Sequence, residues 1–205
     1  MTDSSYYFAF GSNLSVSRMR DRVGGAGGFA TRRLAHLPGW RLTFDKQAGD
    51  GSGYANLVPD ASSTAEGALY ELPSFAAIEA LDGYEGAPYH YRRVEMQVQL
   101  QLAHDGPSSV PAWVYIATRP AARTLAPRAD YLDHLLCGRD LLSSAYVRRL
   151  EATPTFVAAP PAPPPPQAVA ALTSMGFSRS QAEQALTATK NNVEVAANFL
   201  LRGIF

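Results

Sequence analysis

Cysteine is all but missing from this chain, and its histidines are few and scattered. A single cysteine, Cys137, among 205 residues forbids an internal disulfide, and four histidines form no cluster at the spacing a zinc site requires. Metal chemistry is therefore not expected. Charge of one sign is equally lacking: 18 basic side chains balance 18 acidic ones, which removes the broad attraction that a nucleic-acid or anionic-membrane binder carries. Neither nucleic acid nor membrane is an expected partner. No run of eighteen apolar residues occurs, and Met1-Thr2-Asp3-Ser4-Ser5 shows no basic segment leading into an apolar one. The expectation is a soluble, cytosolic protein. What the chain does have is apolar material, 46% against 18% charged, enough to bury a real core and to exclude global disorder. Its length suits one to two domains.

Proline divides it. Thr153 to Pro166 holds seven of the fifteen prolines and no charge, and such a run propagates neither a helix nor a central strand. Read as a linker in polyproline II form, it extends about 3.1 Å per residue and spans roughly 40 Å. Residues 1–152 alternate strand-like and helix-like segments, whereas 167–205 contain no proline and read as short helices. Arg179, Lys190 and Arg202 against Glu183 and Glu194 leave +1 on the tail and −1 on the rest, so charge does not distinguish the parts.

In the first part, Tyr6 to Phe10 reads as an aromatic strand ending at Gly11-Ser12-Asn13, and Ser15 caps a helix through Arg22. Strands are expected at Leu34–His36, Trp40–Phe44, Tyr54–Val58 and Glu66–Leu72. Ser74 then starts a helix, Phe75 to Leu81, which Gly83 stops. Arg92 to Leu102 alternates through Val94, Met96, Val98, Leu100 and Leu102, and pairs with Ala112–Ala117 across a polar turn at His104 to Ser109. Helices follow over Arg128–Cys137, ended by Gly138, and Ser144–Leu150. The mixture predicts an α+β fold, a small, mostly antiparallel β-barrel or sheet with helices packed outside.

Tyr7-Phe8-Ala9-Phe10-Gly11-Ser12-Asn13-Leu14 has two readings on its own. Gly11 allows a sharp turn directly after a buried strand, so the following amides either close an ordinary strand-to-helix turn or point outward toward an anion or oxyanion. Together with Arg18-Met19, with Leu81-Asp82-Gly83-Tyr84-Glu85-Gly86 and with Tyr91-Arg92, it resembles the gamma-glutamylcyclotransferase family. Gly53-Tyr54-Ala55-Asn56 and Gly67-Ala68-Leu69-Tyr70 fall between these motifs in the family's order, and the likeness runs over roughly residues 6 to 150.

That resemblance implies a barrel-like α+β fold and a cofactor-free enzyme that releases 5-oxoproline from a small gamma-glutamyl substrate. The substrate's own α-amine closes a five-membered ring on its γ-carbonyl, so no activated serine or cysteine is needed. It implies Glu85 as the catalytic acid/base, with burial raising its pKa from the ~4.3 of a free glutamate. It also implies substrate contact by Tyr7, Phe8, Ala9, Phe10, Gly11, Ser12 and Tyr131. Family members commonly carry tyrosine where this chain has Phe10, which puts one substrate-orienting hydroxyl in doubt. Three rival functions stay open: a gamma-glutamylamine (isopeptide) cyclotransferase, a glutathione-degrading relative, and a non-catalytic adaptor that retains the fold.

Outside the motifs the bland readings stand. Tyr84, Tyr89 and Tyr91 either pack or line the pocket. Cys137, among leucines, is expected as an inert buried thiol. Arg18, Arg20, Arg22, Arg32 and Arg33 are expected in solvent, unless one meets a substrate carboxylate.

In the tail, Val169 and Leu172 share a helix face, Gly176 ends that helix, Ser178-Arg179-Ser180-Gln181 reads as a capping box, and Asn192 caps a third helix. In the third helix Val193, Ala196, Ala197, Leu200 and Leu201 form one stripe that must be buried. Met175-Gly176-Phe177, the Ala182/Ala185/Leu186 spacing and Asn191-Asn192-Val193 through Asn198-Phe199-Leu200-Leu201 resemble the ubiquitin-associated domain. This implies binding of ubiquitin or ubiquitinated proteins through Met175, Gly176, Phe177, Leu200 and Leu201; the bland alternative has Met175 and Phe177 closing the core.

Overall fold

A computed structural model describes residues 5–100, 109–158 and 162–203 and divides the chain into two compact units, Met1–Val157 and Ala158–Phe205. The first is a closed barrel of five strands in the order β1-β3-β2-β4-β5. β1 (Ser5–Ala9) runs antiparallel to β3 (Gly53–Leu72), with Tyr7 opposite Tyr70, and parallel to β5 (Ser109–Ala117) at Tyr7 and Trp113. That parallel contact closes the barrel and leaves β1 no free edge.

The four short strands expected between Leu34 and Leu72 merge into two long ones, β2 (Thr31–Gln47) and β3, paired from Thr31–Glu71 to Gln47–Gly53. Pro38-Gly39 lies inside the first and Asp60 to Ser63 inside the second, while Gly49 to Ser52 falls in the turn between them. The register shifts between Pro38 and Trp40, where Gly39 takes a left-handed φ of 79°, and again between Thr43 and Lys46. Such bulges bend a strand around a barrel without ending it. β4 (Tyr91–Leu100) pairs antiparallel with β5, Val94 opposite Val114, as the alternation predicts. Leu102 and most of the expected turn at 104–109 lie outside the described residues.

Gly67 shows how tightly the wall is drawn. A β-carbon there would come within 2.5 Å of the Ala9 carbonyl oxygen and 2.6 Å of the Phe8 ring. Asn56 ties three strands together, donating to Asp45 Oδ1 (2.8 Å) and accepting the Ala117 amide (2.9 Å), so its burial leaves neither end of the amide unpaired.

Helices pack outside this wall. α1 (Val16–Val23) is capped by Ser15 and buries Met19 and Val23. α2 (Phe75–Glu85) runs one turn beyond the expected stop: Gly83 lies inside it, and Gly86, left-handed at φ 62°, ends it while the Ala87 amide bonds back to Asp82. A glycine within a helix weakens it without breaking it, and only the left-handed residue terminates. The extra turn carries Glu85. Asp82 anchors the helix, accepting from Arg93 (2.6 Å) and from the Tyr115 hydroxyl (2.8 Å). α3 (Ala129–Leu136) and α4 (Ser144–Glu151) complete the unit. Cys137 is exposed, not buried as expected, because it caps α3 on the outward side of Leu132 and Leu135.

Through Val157 the proline-rich stretch belongs with the barrel unit, where the Phe156 amide donates to the Pro127 carbonyl (2.7 Å). The second unit comprises α5 (Pro166–Ser174), α6 (Arg179–Ala188) and α7 (Val193–Leu201). Ser178 and Gln181 form the expected capping box, and Asn192 caps α7 through the Val195 amide. Leu172, Ala182, Ala185, Leu186 and Ala196 are fully buried, with Phe177, Val193, Ala197 and Leu200 packed around them. Leu201 departs from the expected buried stripe and is 68% exposed, because the stripe is wider than the face two short helices can cover.

Among the described residues no helix is long and apolar enough to cross a membrane, and no group of three or more acidic, histidine or cysteine side chains could hold a metal.

Candidate active site

β1 delivers its chain to the barrel end at Gly11, where a short 3-10 turn, Ser12–Leu14, leads into α1. Gly11 has φ −112°, so the left-handed region is not what it supplies. Close approach is: a β-carbon would lie 3.2 Å from Ala55 Cβ and 3.3 Å from the Tyr131 hydroxyl. The turn is pinned from below by Tyr70, whose hydroxyl donates to the Asn13 carbonyl at 2.9 Å.

Against this turn stands Glu85, last residue of α2. A carboxylate at a helix C-terminus meets the negative end of the dipole and needs a compensating charge. Arg22, in the last turn of α1, supplies it: Arg22 Nη1 donates to Glu85 Oε1 at 2.7 Å, with the two side chains only 10% and 17% exposed. The same Nη1 donates to Asn13 Oδ1 (2.8 Å), and Asn13 Nδ2 donates to Glu85 Oε1 (3.1 Å) and to the Tyr7 hydroxyl (2.8 Å). Arg22 also sits 5.2 Å above the Tyr84 ring. Burial raises the Glu85 carboxyl above its ordinary 4.5, while Arg22 and then Asn13 pull it back without cancelling the rise. Burial likewise pushes the Tyr7 and Tyr131 phenols up, so both keep their protons at neutral pH.

Two spaces share this carboxylate in their walls. An inner chamber of about 30 Å³ is bounded by Tyr7, Phe10, Gly11 and Asn13 on the β1 side and by Ala55, Tyr91, Tyr115 and Tyr131 across from it. An outer cavity of about 480 Å³ includes Arg18, Arg22, Lys46, Tyr54, Tyr84 and His90 in its wall. Ser12, Glu85, Tyr91 and Tyr131 face both. Tyr131 and Tyr91 grip the same residue of β3 from its two backbone ends: the Tyr131 hydroxyl accepts the Ala55 amide (3.1 Å) and the Tyr91 hydroxyl donates to the Ala55 carbonyl (3.0 Å).

Of the residues singled out in the sequence, Glu85, Tyr7, Phe10, Gly11, Ser12 and Tyr131 come together here. Phe8 and Ala9 are fully buried in the core and line neither space. Tyr84 and Tyr91 line the cavity; Tyr89, 78% exposed, does not. Arg22 corrects the expectation of a solvated arginine, since burial against Glu85 takes it out of water. Asn13 and Arg22 are the site residues that sequence reasoning passed over. Asn13 had a signal, its place in the Gly-Ser-Asn turn, whereas nothing local tells that Arg22 pairs with a residue 63 positions away.

A model of the gamma-glutamyl cyclotransferase, AIG2-like family matches residues 7–133, and the chain belongs to that family. A UBA/TS-N domain model matches residues 164–200. Among solved structures, one titled gamma-glutamyl cyclotransferase is 20% identical at a TM-score of 0.62, the match covering 75% of this chain and 90% of that one. An uncharacterized Homo sapiens protein, loc79017, is 21% identical at 0.64, covering 77% and 92%. YkqA from Bacillus subtilis is 24% identical at 0.62, covering 75% and 56%. At these identities the likeness establishes the fold. No curated protein sequence matches the chain.

Proposed function

We propose that the barrel unit is a gamma-glutamylcyclotransferase that converts a gamma-glutamyl amino acid into 5-oxoproline and the free amino acid, with Glu85 as acid/base. The α-amine nitrogen attacks the γ-carbonyl carbon while the Glu85 carboxylate takes a proton from that nitrogen. The carbonyl oxygen, now negative, faces the backbone amides of Gly11 and Ser12, each aimed donor contributing about 3 kcal/mol. As the intermediate collapses, the bond to the leaving nitrogen breaks and Glu85 returns the proton to it. Neither water nor an external nucleophile is consumed, and holding the amine and carbonyl in line supplies several kcal/mol of the barrier reduction, on the order seen for intramolecular reactions. Tyr7, Phe10 and Tyr131 wall the small chamber at Gly11, which at about 30 Å³ admits only the reacting end of the glutamyl chain, and Phe8 and Ala9 contribute through backbone alone.

The observation that carries this reading is a carboxylate raised by burial, yet held within reach of proton exchange by Arg22 and Asn13, facing the same small chamber as Gly11 and Ser12. The test is a panel of gamma-glutamyl dipeptides, glutathione and epsilon-(gamma-glutamyl)lysine offered to the purified protein, with 5-oxoproline measured. Release from the dipeptides that falls about 10²- to 10⁴-fold in Glu85→Gln supports the assignment. No release from any compound leaves a binding protein with the family fold.

The second unit we read as a ubiquitin-binding module, tethered by the proline-rich segment within residues 153–166 and recruiting the enzyme to ubiquitinated proteins. Met175, 52% exposed beside Gly176, and Leu201 present apolar area that no packing inside the three-helix unit accounts for, while Phe177 and Leu200 lie half-buried behind them. So small a patch fits a weak, transient contact.

A further inference from the structure

Arg18 differs from the other arginines drawn against the barrel. Arg22 is paired with Glu85, Arg32 with Asp140 and Arg93 with Asp82. Arg18 forms no ion pair among the described residues, although its Nε is shut away from solvent and has no hydrogen-bond partner. Its Nη1 lies 3.4 Å from His134 Nε2, and burial together with Arg18 itself holds that imidazole toward its neutral form. A guanidinium so placed has a planar, charged fork and no counter-ion, the arrangement that fits a carboxylate.

Position tells which carboxylate. Arg18 faces the outer cavity and is not in the wall of the inner chamber, while Glu85 faces both. Given the cyclisation proposed above, on which this inference rests, the glutamyl part reacts at Glu85 and the group it expels extends outward. Lys46 of β2 adds a second cation to the same outer wall. We infer that Arg18 binds the carboxylate of the leaving group, so that the site selects gamma-glutamyl compounds whose leaving part carries a carboxylate, as an amino acid or peptide does, over carboxylate-free amines. Arg22 is committed to Glu85 and sets its ionisation; Arg18, one helical turn away on α1, sets what is expelled.

The test compares gamma-glutamyl-alanine with gamma-glutamyl-alaninamide, which differ only in that charge. The wild-type protein is expected to favour the acid in kcat/KM, and Arg18→Gln to lose about 10- to 100-fold more on the acid than on the amide. Arg18→Lys restores part of the preference. An equal loss on both compounds, no loss on either, or a wild-type enzyme indifferent to the charge would overturn the inference. Binding separates it from the proposed chemistry. Glutaryl-alanine and glutaryl-alaninamide keep the glutamyl carboxylate and lack the α-amine, so they cannot cyclise. Tighter calorimetric binding of the acid, abolished by Arg18→Gln, sustains the role of Arg18 even if no turnover is found. Turnover without that discrimination removes the role and leaves the reaction standing.

Discussion

Arg22 Nη1 lies 2.7 Å from Glu85 Oε1, joining the last turn of α1 to the last residue of α2, and Glu85 stands in the walls of both the outer cavity and the inner chamber. Two opposing influences act on this one carboxyl. Burial holds the proton on, and the guanidinium and Asn13 help it off. A group asked both to accept and to return a proton needs such a balance, because an acid left at its ordinary value is too weak a base.

The balance makes the pH profile a direct test. Glu85 works as a base only after losing its proton, so log kcat/KM should rise with pH through an apparent pKa above 4.5. Arg22 lowers that value; removing it in Arg22→Gln leaves burial less opposed, so the rising limb should move to higher pH. A limb that stays in place or moves toward acid would show that Arg22 does not tune Glu85.

Tyr131→Phe removes the acceptor of the Ala55 amide while keeping the ring against Tyr54. The expected cost is about 1–3 kcal/mol of stability in urea titration, for a buried donor left without a partner. A fall in kcat/KM should accompany it, since Ala55 forms part of the chamber wall. Unchanged stability would mean that water replaces the hydroxyl.

Gly67→Ala probes the barrel away from the chemistry. The added methyl meets the Ala9 carbonyl oxygen and the Phe8 ring, neither able to move without shifting β1. A loss of about 1–3 kcal/mol is expected from overpacking, read as a lower urea midpoint at unchanged slope. A neutral variant would show that β1 and β3 can separate.

Met175→Ala in the second unit should leave the helical circular dichroism and melting temperature unchanged, because Met175 is exposed beside a core built on Leu172 and Leu186. In a titration of labelled ubiquitin, the same variant should weaken binding about tenfold, within the usual span for a central apolar contact. Loss of folding instead would assign Met175 to the core.

A chain ending at Val157 retains the whole barrel unit. Its turnover of small gamma-glutamyl substrates should equal that of the full chain, and a large drop in kcat would contradict independent units.

Local signals carried well where the cause of structure is local. Ser15, Ser178 with Gln181, and Asn192 each announce a helix start through a side chain bonding an amide two or three residues on, and each does so. Alternation along β4 and the Gly-Ser-Asn turn after β1 are of the same kind, and Leu81 to Gly86 is a contiguous run, which is why the sequence could single out Glu85. The extent of α2 was misjudged because a glycine inside a helix and one ending it look alike until backbone sign is known, +62° at Gly86. Long β2 and β3 were read as fragments because a barrel tolerates bulges and polar residues where its strands bend.

The order of residues by itself decided that there are two folded parts, that the first is built on strands and outer helices, and singled out a glutamate and a glycine turn that the fold brings to one chamber. Only the tertiary structure decided that Arg22 is a buried partner and not a solvated charge, that Asn13 bridges it to Tyr7, and that Arg18 has no ion pair among the described residues. The reason is physical: a helix cap or a strand alternation is settled by neighbours a few residues off, whereas the ionisation of a carboxyl depends on which charges the closed barrel brings within a few ångströms, whatever their distance along the chain.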